Sequence, residues 1–385
     1  MNTMPSVHPL PLLLAWMFVC AMALTTVPSA AAQTPVREIL ELVREHALSP
    51  PASQALAAGL DDPALSCTNG LRTFLRTFDP YAAHISRREL EELKELRKIF
   101  AYGIGMDITQ DWSGRIICIP YADGPAARCG ITYGDVLLEV DGYDTVEADI
   151  ADVAVLIRGA VGTTVRLVVQ KLREGPAAKP HSFMAQRDHL TPPLVHIEKN
   201  TVAEACIRIY GFSPSGVRLL QQTLALIQKR PPQRLIIDLR GNTGGDLESA
   251  LRCASMFVHK GTLIALERNK DTITPRYAEQ TGVAANMPQQ LIIRQDGLTA
   301  SAAELFIAAL SAAGRAHTEG TVSAGKALVQ EVFKLSNGDM FKLTTKELLF
   351  PGRNTSWQGR GLLPDKAPAW GNTLFFMSRI MGRAQ

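Results

Sequence analysis

Between residues 36 and 100 the apolar positions recur three and four apart. Val36 to Leu48 carries them at helical spacing and ends at Pro50-Pro51, and Ser86-x-x-Glu89 is a capping box that opens a charged helix running towards Phe100. From Ala101 to about Arg187 the pattern changes to short apolar runs between glycine turns: Gly105-Met106-Asp107-Ile108-Thr109, Arg115 to Ile119, and Asp135 to Val140 before Asp141-Gly142. A helix over Asp149 to Ile157 and a strand over Thr164 to Gln170 complete a small β domain. Beyond a linker at Gly175 to Pro180, strands at Ala203 to Tyr210, Arg234 to Leu239 and Leu291 to Arg294 alternate with helices at Gly216 to Lys229 and Asp246 to Val258, which predicts a layered α/β core. Near the end, Leu328 to Leu335 and Met340 to Leu349 flank Ser336-Asn337-Gly338-Asp339, a hairpin signal that makes Lys326 the start of a strand.

The expected organisation is a leader at 1–32, a helical region at 33–100, a β domain at 101–187, an α/β core at 188–370 and a tail at 371–385. The leader holds no Asp, Glu, Lys or Arg, and its apolar run from Leu12 to Leu24 is shorter than the about 20 residues of a membrane-spanning helix. With Ala30-Ala31-Ala32 as a cleavage site it reads as a signal peptide, which for a bacterial chain implies the periplasm or secretion. Valine at position 19 argues against Cys20 as a lipid-anchored cysteine.

Composition narrows the function classes. A chain of 385 residues with 46% hydrophobic and 20% charged content has room for two or three globular domains. A net charge of +3 is too mild for a nucleic-acid-binding face. Five cysteines remain after the leader, an odd number, so at least one is expected free or paired with another chain; a bridge from Cys118 to Cys129 stays open. Cys118 and Cys206 lie in apolar runs and read as small buried hydrophobes. Without a C-x-x-C or a paired histidine motif, no zinc site is expected.

The candidate chemistry sits in two short segments. Ser301 lies in Thr299-Ala300-Ser301-Ala302-Ala303-Glu304 at the start of an Ala-rich helix, and Lys326 follows 25 positions later in Gly325-Lys326-Ala327-Leu328-Val329-Gln330. A serine hydroxyl needs a positioned base to become a nucleophile, and no histidine sits in a local hydrolase signature, so lysine is the candidate. Taken singly, Ser301-x-x-Glu304 is a helix cap and Lys326 a solvated charge. A third element changes that reading: the strand Arg234 to Arg240 runs into Gly241-Asn242-Thr243-Gly244-Gly245 and then a helix, an arrangement that aims backbone N–H groups at developing negative charge.

These segments closely resemble the carboxyl-terminal processing proteases, or tail-specific proteases. Beside the Ser301 and Lys326 segments, Asp-Leu-Arg-Gly-Asn-Thr-Gly-Gly at 238–245, Phe78-Asp79-Pro80-Tyr81 and Gly361-Leu362-Leu363-Pro364-Asp365 match in order, so the likeness covers roughly residues 36 to 368. It implies a crotonase- and Clp-protease-type α/β core with an inserted PDZ domain and an N-terminal helical region. Ser301, Lys326 and Gln330 fall on the family's catalytic positions, with Gln330 on the strand face of Lys326 and able to hold its amine. Leu298, Ala324 and Ala327 depart from residues common in the family but remove no reacting atom.

In the β domain, Gly103-Ile104-Gly105-Met106 matches the PDZ carboxylate-binding loop. Ala126-x-x-Cys129-Gly130-x-x-x-Gly134-Asp135 matches a second PDZ segment. Such a loop captures a terminal carboxylate while the adjacent strand accepts an extended peptide. Arg158 matches a basic family position that would couple peptide binding to activation, or it is a helix-end cation.

The mechanism implied is a Ser/Lys dyad forming an acyl-enzyme, with the oxyanion held by the Ala302 N–H and one N–H of Gly244 or Gly245. A free lysine of pKa about 10.4 is neutral in only about one molecule in 2,500 at pH 7, a deficit of about 4.6 kcal/mol that burial has to remove. Val322, Leu328, Leu305 and Phe306 are the expected apolar wall. The resemblance implies a protein or peptide substrate with an accessible C-terminus and leaves room for an adaptor and a homo-oligomer. It implies no cofactor, metal or nucleic acid. A catalytically silent PDZ scaffold is the competing reading from another class. A crotonase-like acyl-CoA enzyme is a third, and it would need neither the PDZ-like insert nor Lys326.

Overall fold

The run Leu235-Ile236-Ile237 within the strand Arg234–Asp238 is apolar without a break because the strand is central and buried on both faces. A computed structural model describes residues 36–366 except 61, 100, 101, 112, 176–178, 190, 191, 288 and 289. The expected leader with Cys20 and the tail at 371–385 lie outside the described residues. Chain contacts divide the protein into two units, one of residues 1–45, 49–192 and 331–343 and one of 46–48, 193–330 and 344–385.

The second unit is built on a five-stranded sheet in the order Val195–Asn200, Glu204–Ile209, Arg234–Asp238, Gln290–Gln295, Ala316–Gly320. The first strand is antiparallel to its neighbour and the other four run parallel. Alternation along the three central strands separates two faces. Ala205, Ile207, Leu235, Ile237, Leu291 and Ile293 join the main core, whereas Cys206, Ile236 and Ile292 form a small cluster of their own. Helices Pro214–Gln228, Leu247–Ser255 and Ala302–Ala312 pack into that main core through Leu220, Leu224, Ala254 and Phe306. A smaller antiparallel sheet pairs Leu263–Arg268 with Ile273–Tyr277 and with the end of Met340–Leu349.

Parallel strands end on one edge, so their outgoing loops meet there. Leu239 N–H donates to Arg294 O at 2.9 Å, Thr299 Oγ1 donates to Leu239 O at 2.9 Å, and Ala324 N–H donates to Thr299 O at 2.9 Å. The loops that follow Asp238, Gln295 and Gly320 are thereby stitched together.

The first unit contains helices Val36–His46, Ser53–Leu60, Thr68–Arg76 and Arg87–Ile99. The Ser86 capping box forms in both directions, with Ser86 N–H on Glu89 at 2.8 Å and Glu89 N–H on Ser86 Oγ at 3.2 Å. Following it is a sheet in the order Met106–Gln110, Ile116–Pro120, Val136–Val140, Thr164–Gln170, His181–Gln186, with the helix Ile150–Ile157 packed on the first strand. Ile104, Val140, Val153, Val165 and Leu167 form its core. The Asn337-Gly338 turn forms as the pattern predicts, with Leu335 N–H on Asp339 O at 2.8 Å.

Some expectations need correction. Lys326 does not begin a strand: the strand is Leu328–Lys334, because the N–H groups before it bind side-chain oxygens instead of a neighbouring strand. Ala83–Ile85 interrupts the helical region as a strand paired with Met340 to Lys342. Val195–Asn200 and Ile273–Tyr277, to which the sequence reading assigned no element, show no alternation because both are largely solvated edge strands. All five cysteines among the described residues are free thiols, and burial pushes Cys206 and Cys253 up to about 12 and Cys118 further still.

Leu224 is fully buried beneath the central sheet. Leu224→Ala is expected to lower unfolding stability by about 2–5 kcal/mol, read from urea denaturation; a midpoint equal to the parent's would contradict the assigned core.

Candidate active site

Ser301 joins the loop after the strand Gln290–Gln295 to the helix Ala302–Ala312, and its backbone is held at φ 57°, ψ −121°. A non-glycine residue in that region is strained by about 1–3 kcal/mol and persists only where its surroundings fix it. They do so here. Ala300 N–H donates to Asn242 O at 3.0 Å, Glu304 N–H donates to Ser301 O at 2.9 Å, and Ser301 N–H donates to Glu304 Oε2 at 2.8 Å. The capping-box arrangement read from sequence is present, but the Ser301 hydroxyl's approach to the helix start falls short of a hydrogen bond. Ser301 is thus a half-buried, strained serine at the junction of strand and helix.

Glu304 does more than cap. It is fully buried, and Oε1 accepts from Ser323 Oγ at 2.6 Å and Gly325 N–H at 2.7 Å. Oε2 accepts from Ser301 N–H and also from Lys326 N–H, each at 2.8 Å. One oxygen atom therefore confines the backbone nitrogens of Ser301 and Lys326 to no more than twice 2.8 Å apart. Burial pushes the Glu304 carboxyl above its usual range against the pull of these donors. It also holds the Lys326 amine below the ordinary lysine value, with the Glu304 charge opposing it. Of the expected wall residues, Leu305 and Phe306 are fully buried, and Val322 and Leu328 are half-buried.

The glycine turn lies against the serine. A Cβ added to Gly244 would stand 2.9 Å from Ser301 Cβ and 3.0 Å from Ala302 N. Gly244 N–H donates to Asn242 Oδ1 at 2.9 Å, whereas the N–H groups of Gly245 and Ala302 donate to no described residue. Asn242 is buried, and its Nδ2 donates to Ile209 O at 2.9 Å. Behind the turn Asp238 is held well below the usual carboxylate range: burial raises it, but the Arg240 guanidinium bound to both oxygens and the nearby Arg208 outweigh that. The Gln330 amide nitrogen donates to Leu328 O at 3.2 Å and approaches Thr344 Oγ1 at 3.4 Å.

In the other unit, Gly103 pairs with Asp188, Ile104 is buried, and Gly105 has φ 69°. The carbonyls of Ile104 and Gly105 accept from Ala126 N–H and Tyr121 N–H, each at 2.8 Å, while their own N–H groups donate to no described residue. Met106 begins the strand Met106–Gln110, which ends its sheet and so offers an unpaired edge. The Arg158 stem reaches 4.0 Å from where a Gly103 Cβ would stand, which places this cation at the loop. Sequence reading missed Asn242 and Ser323 as site residues and took Glu304 only as a capping partner; the Asp-Leu-Arg-Gly-Asn-Thr-Gly-Gly and Ser-x-x-Glu segments were the available signals.

Comparison with known proteins finds relatives named as proteases. A protein named "Probable CtpA-like serine protease" from Staphylococcus epidermidis is 27% identical over 289 residues, 74% of this chain and 57% of that protein. A "Carboxy-terminal-processing protease" from Bartonella bacilliformis is 26% identical over 334 residues, 85% of this chain and 73% of that protein. The chain thus spans little more than half of some of its curated relatives. The solved structure of a photosystem II D1 C-terminal processing protease shares the fold at TM-score 0.65 and 22% identity, covering 86% of this chain and 92% of that one.

Asn242→Ala would leave Ile209 O and Gly244 N–H unpaired in the interior. A loss of about 1–3 kcal/mol is expected in urea unfolding, and a change under about 0.5 kcal/mol would remove Asn242 from this account. Residues 204–367 match the model of Peptidase family S41 and residues 116–171 that of the PDZ domain.

Proposed function

We propose that this chain is an exported serine endopeptidase that grips the C-terminal end of a protein or peptide in its PDZ groove and cuts peptide bonds with a Ser301/Lys326 dyad. The observation that carries the reading is the anchoring of both residues' N–H groups on one oxygen of buried Glu304. The four-stranded parallel layer with helices on its core face favours a crotonase- and Clp-protease-type core. Export rests on the leader alone, and an adaptor or self-association would act on this same scheme.

In the reaction, neutral Lys326 accepts the Ser301 proton as Oγ attacks the peptide carbonyl carbon. The oxyanion meets the Ala302 N–H at the positive end of its helix. Its second donor is Gly245 N–H, since Gly244 N–H already serves Asn242. Collapse breaks the C–N bond, and the Lys326 ammonium returns its proton to the leaving amine. Water, deprotonated by Lys326, then hydrolyses the serine ester.

Two tests follow. With an unstructured polypeptide ending in apolar residues, Ser301→Ala and Lys326→Ala should each lose about 10³-fold or more in kcat. The parent's kcat/KM should rise with pH as the amine loses its proton, with a midpoint below the 10.5 of an ordinary lysine because burial disfavours the ammonium. Cleavage by Lys326→Ala at the parent's rate would falsify the dyad, and binding without any cleavage by the parent would leave only a scaffold. Second, amidating the C-terminus of the same polypeptide should weaken its binding about tenfold or more, measured by calorimetry, and Arg158→Ala should weaken only the free-acid form. Equal affinity for acid and amide would rule out carboxylate capture.

A further inference from the structure

The loop carrying Lys326 is fixed by side-chain oxygens on two sides. Gly325 N–H and Lys326 N–H donate to Glu304 at 2.7 and 2.8 Å. The next two N–H groups, of Ala327 and Leu328, both donate to Gln358 Oε1, at 2.7 and 3.2 Å. Four successive backbone donors are thus held by two side chains before the strand Leu328–Lys334 continues. Gln358 is itself well placed. Trp357 beside it is buried in the main core, and Gly359 N–H donates to Gly325 O at 2.7 Å. The packing leaves no room for side chains: a Cβ on Gly325 would stand 2.7 Å from Gly361 N, and one on Gly361 would stand 2.2 Å from Ser323 O.

We propose that Gln358 is a positioning residue for Lys326: by fixing the N–H groups of residues 327 and 328, its amide oxygen sets the direction in which the Lys326 side chain leaves the backbone. The inference rests on the reading of Lys326 as base. It gives Gln358 a share in catalysis without contact with substrate. The chemistry of the acceptor matters as much as its place. An amide oxygen orients N–H groups without adding charge, whereas a carboxylate at this point would favour the lysine ammonium and raise the pH at which the base becomes available.

Two substitutions separate these roles. Gln358→Met keeps the length and removes the acceptor; kcat for the unstructured polypeptide should fall about 10- to 100-fold with KM within about twofold. Gln358→Glu restores an acceptor and adds charge. It should recover kcat at high pH to within about threefold of the parent, while the rise of kcat/KM with pH moves upward by about one unit or more. Urea unfolding of both variants separates misfolding from misplacement, and if Gln358→Met does not fold, the pH profile of Gln358→Glu decides alone. An inactive Lys326→Ala together with a Gln358→Met of parental kcat, or a Gln358→Glu whose profile does not move, overturns the proposal and leaves the dyad standing. A Lys326→Ala as fast as the parent removes the dyad itself, whatever the Gln358 variants do.

Discussion

A single buried carboxylate organises the candidate active site. Glu304 accepts four hydrogen bonds, from Ser301, Ser323, Gly325 and Lys326, and so ties the helix that follows the serine to the loop that carries the lysine. Burying a carboxylate costs several kcal/mol unless its lone pairs are filled. Here each oxygen has two donors, all of them neutral. That cost is also what makes the arrangement specific, since losing any one loop would leave the buried carboxyl with too few partners. The strained Ser301 backbone is tolerable for the same reason: its own N–H is one of the four donors.

Parallel topology explains why these pieces can meet at all. In the sheet Glu204–Ile209, Arg234–Asp238, Gln290–Gln295, Ala316–Gly320, all four strands end on one edge. Three loops leave from that edge: one bears Gly244 and Gly245, one bears Ser301, and one bears Lys326. Segments far apart in sequence are brought together by strand direction, and short bonds such as Thr299 Oγ1 to Leu239 O at 2.9 Å set their registry. The PDZ-type unit solves a different problem with similar means, leaving backbone N–H groups at Ile104 and Gly105 without a partner among the described residues beside the strand edge of Met106–Gln110.

Much of this was legible in the sequence where local physics dominates. Arg234–Asp238 declared itself by its apolar run Leu235-Ile236-Ile237, Ser86-x-x-Glu89 by its reciprocal cap, and the Asn337-Gly338 turn by its backbone demands. Ala316–Gly320 did not: of Ala, His, Thr, Glu and Gly only Thr favours a strand, and pairing with Gln290–Gln295 makes this one. Lys326 was placed two residues too far into the following strand because its neighbours' N–H groups bind side chains that are distant in sequence. No periodicity reports such bonds. The same blindness hid Gln358 and reduced Glu304 to a helix cap.

The electrostatics of the pair follow from which contacts Glu304 makes. Its four hydrogen bonds go to a hydroxyl and three backbone N–H groups, and none goes to the Lys326 ammonium. A direct ion pair would have stabilised the charged lysine and kept its pKa high. Because neutral donors already fill the carboxylate, burial of Lys326 acts with only a weaker opposing charge, and the amine is driven towards its neutral form. The deficit of about 4.6 kcal/mol that an ordinary lysine faces at pH 7 is thus reduced while Glu304 still fixes the Lys326 backbone. Under the proposed dyad, Glu304 positions Lys326 through its backbone N–H, so the acid that places the base need not hold its amine.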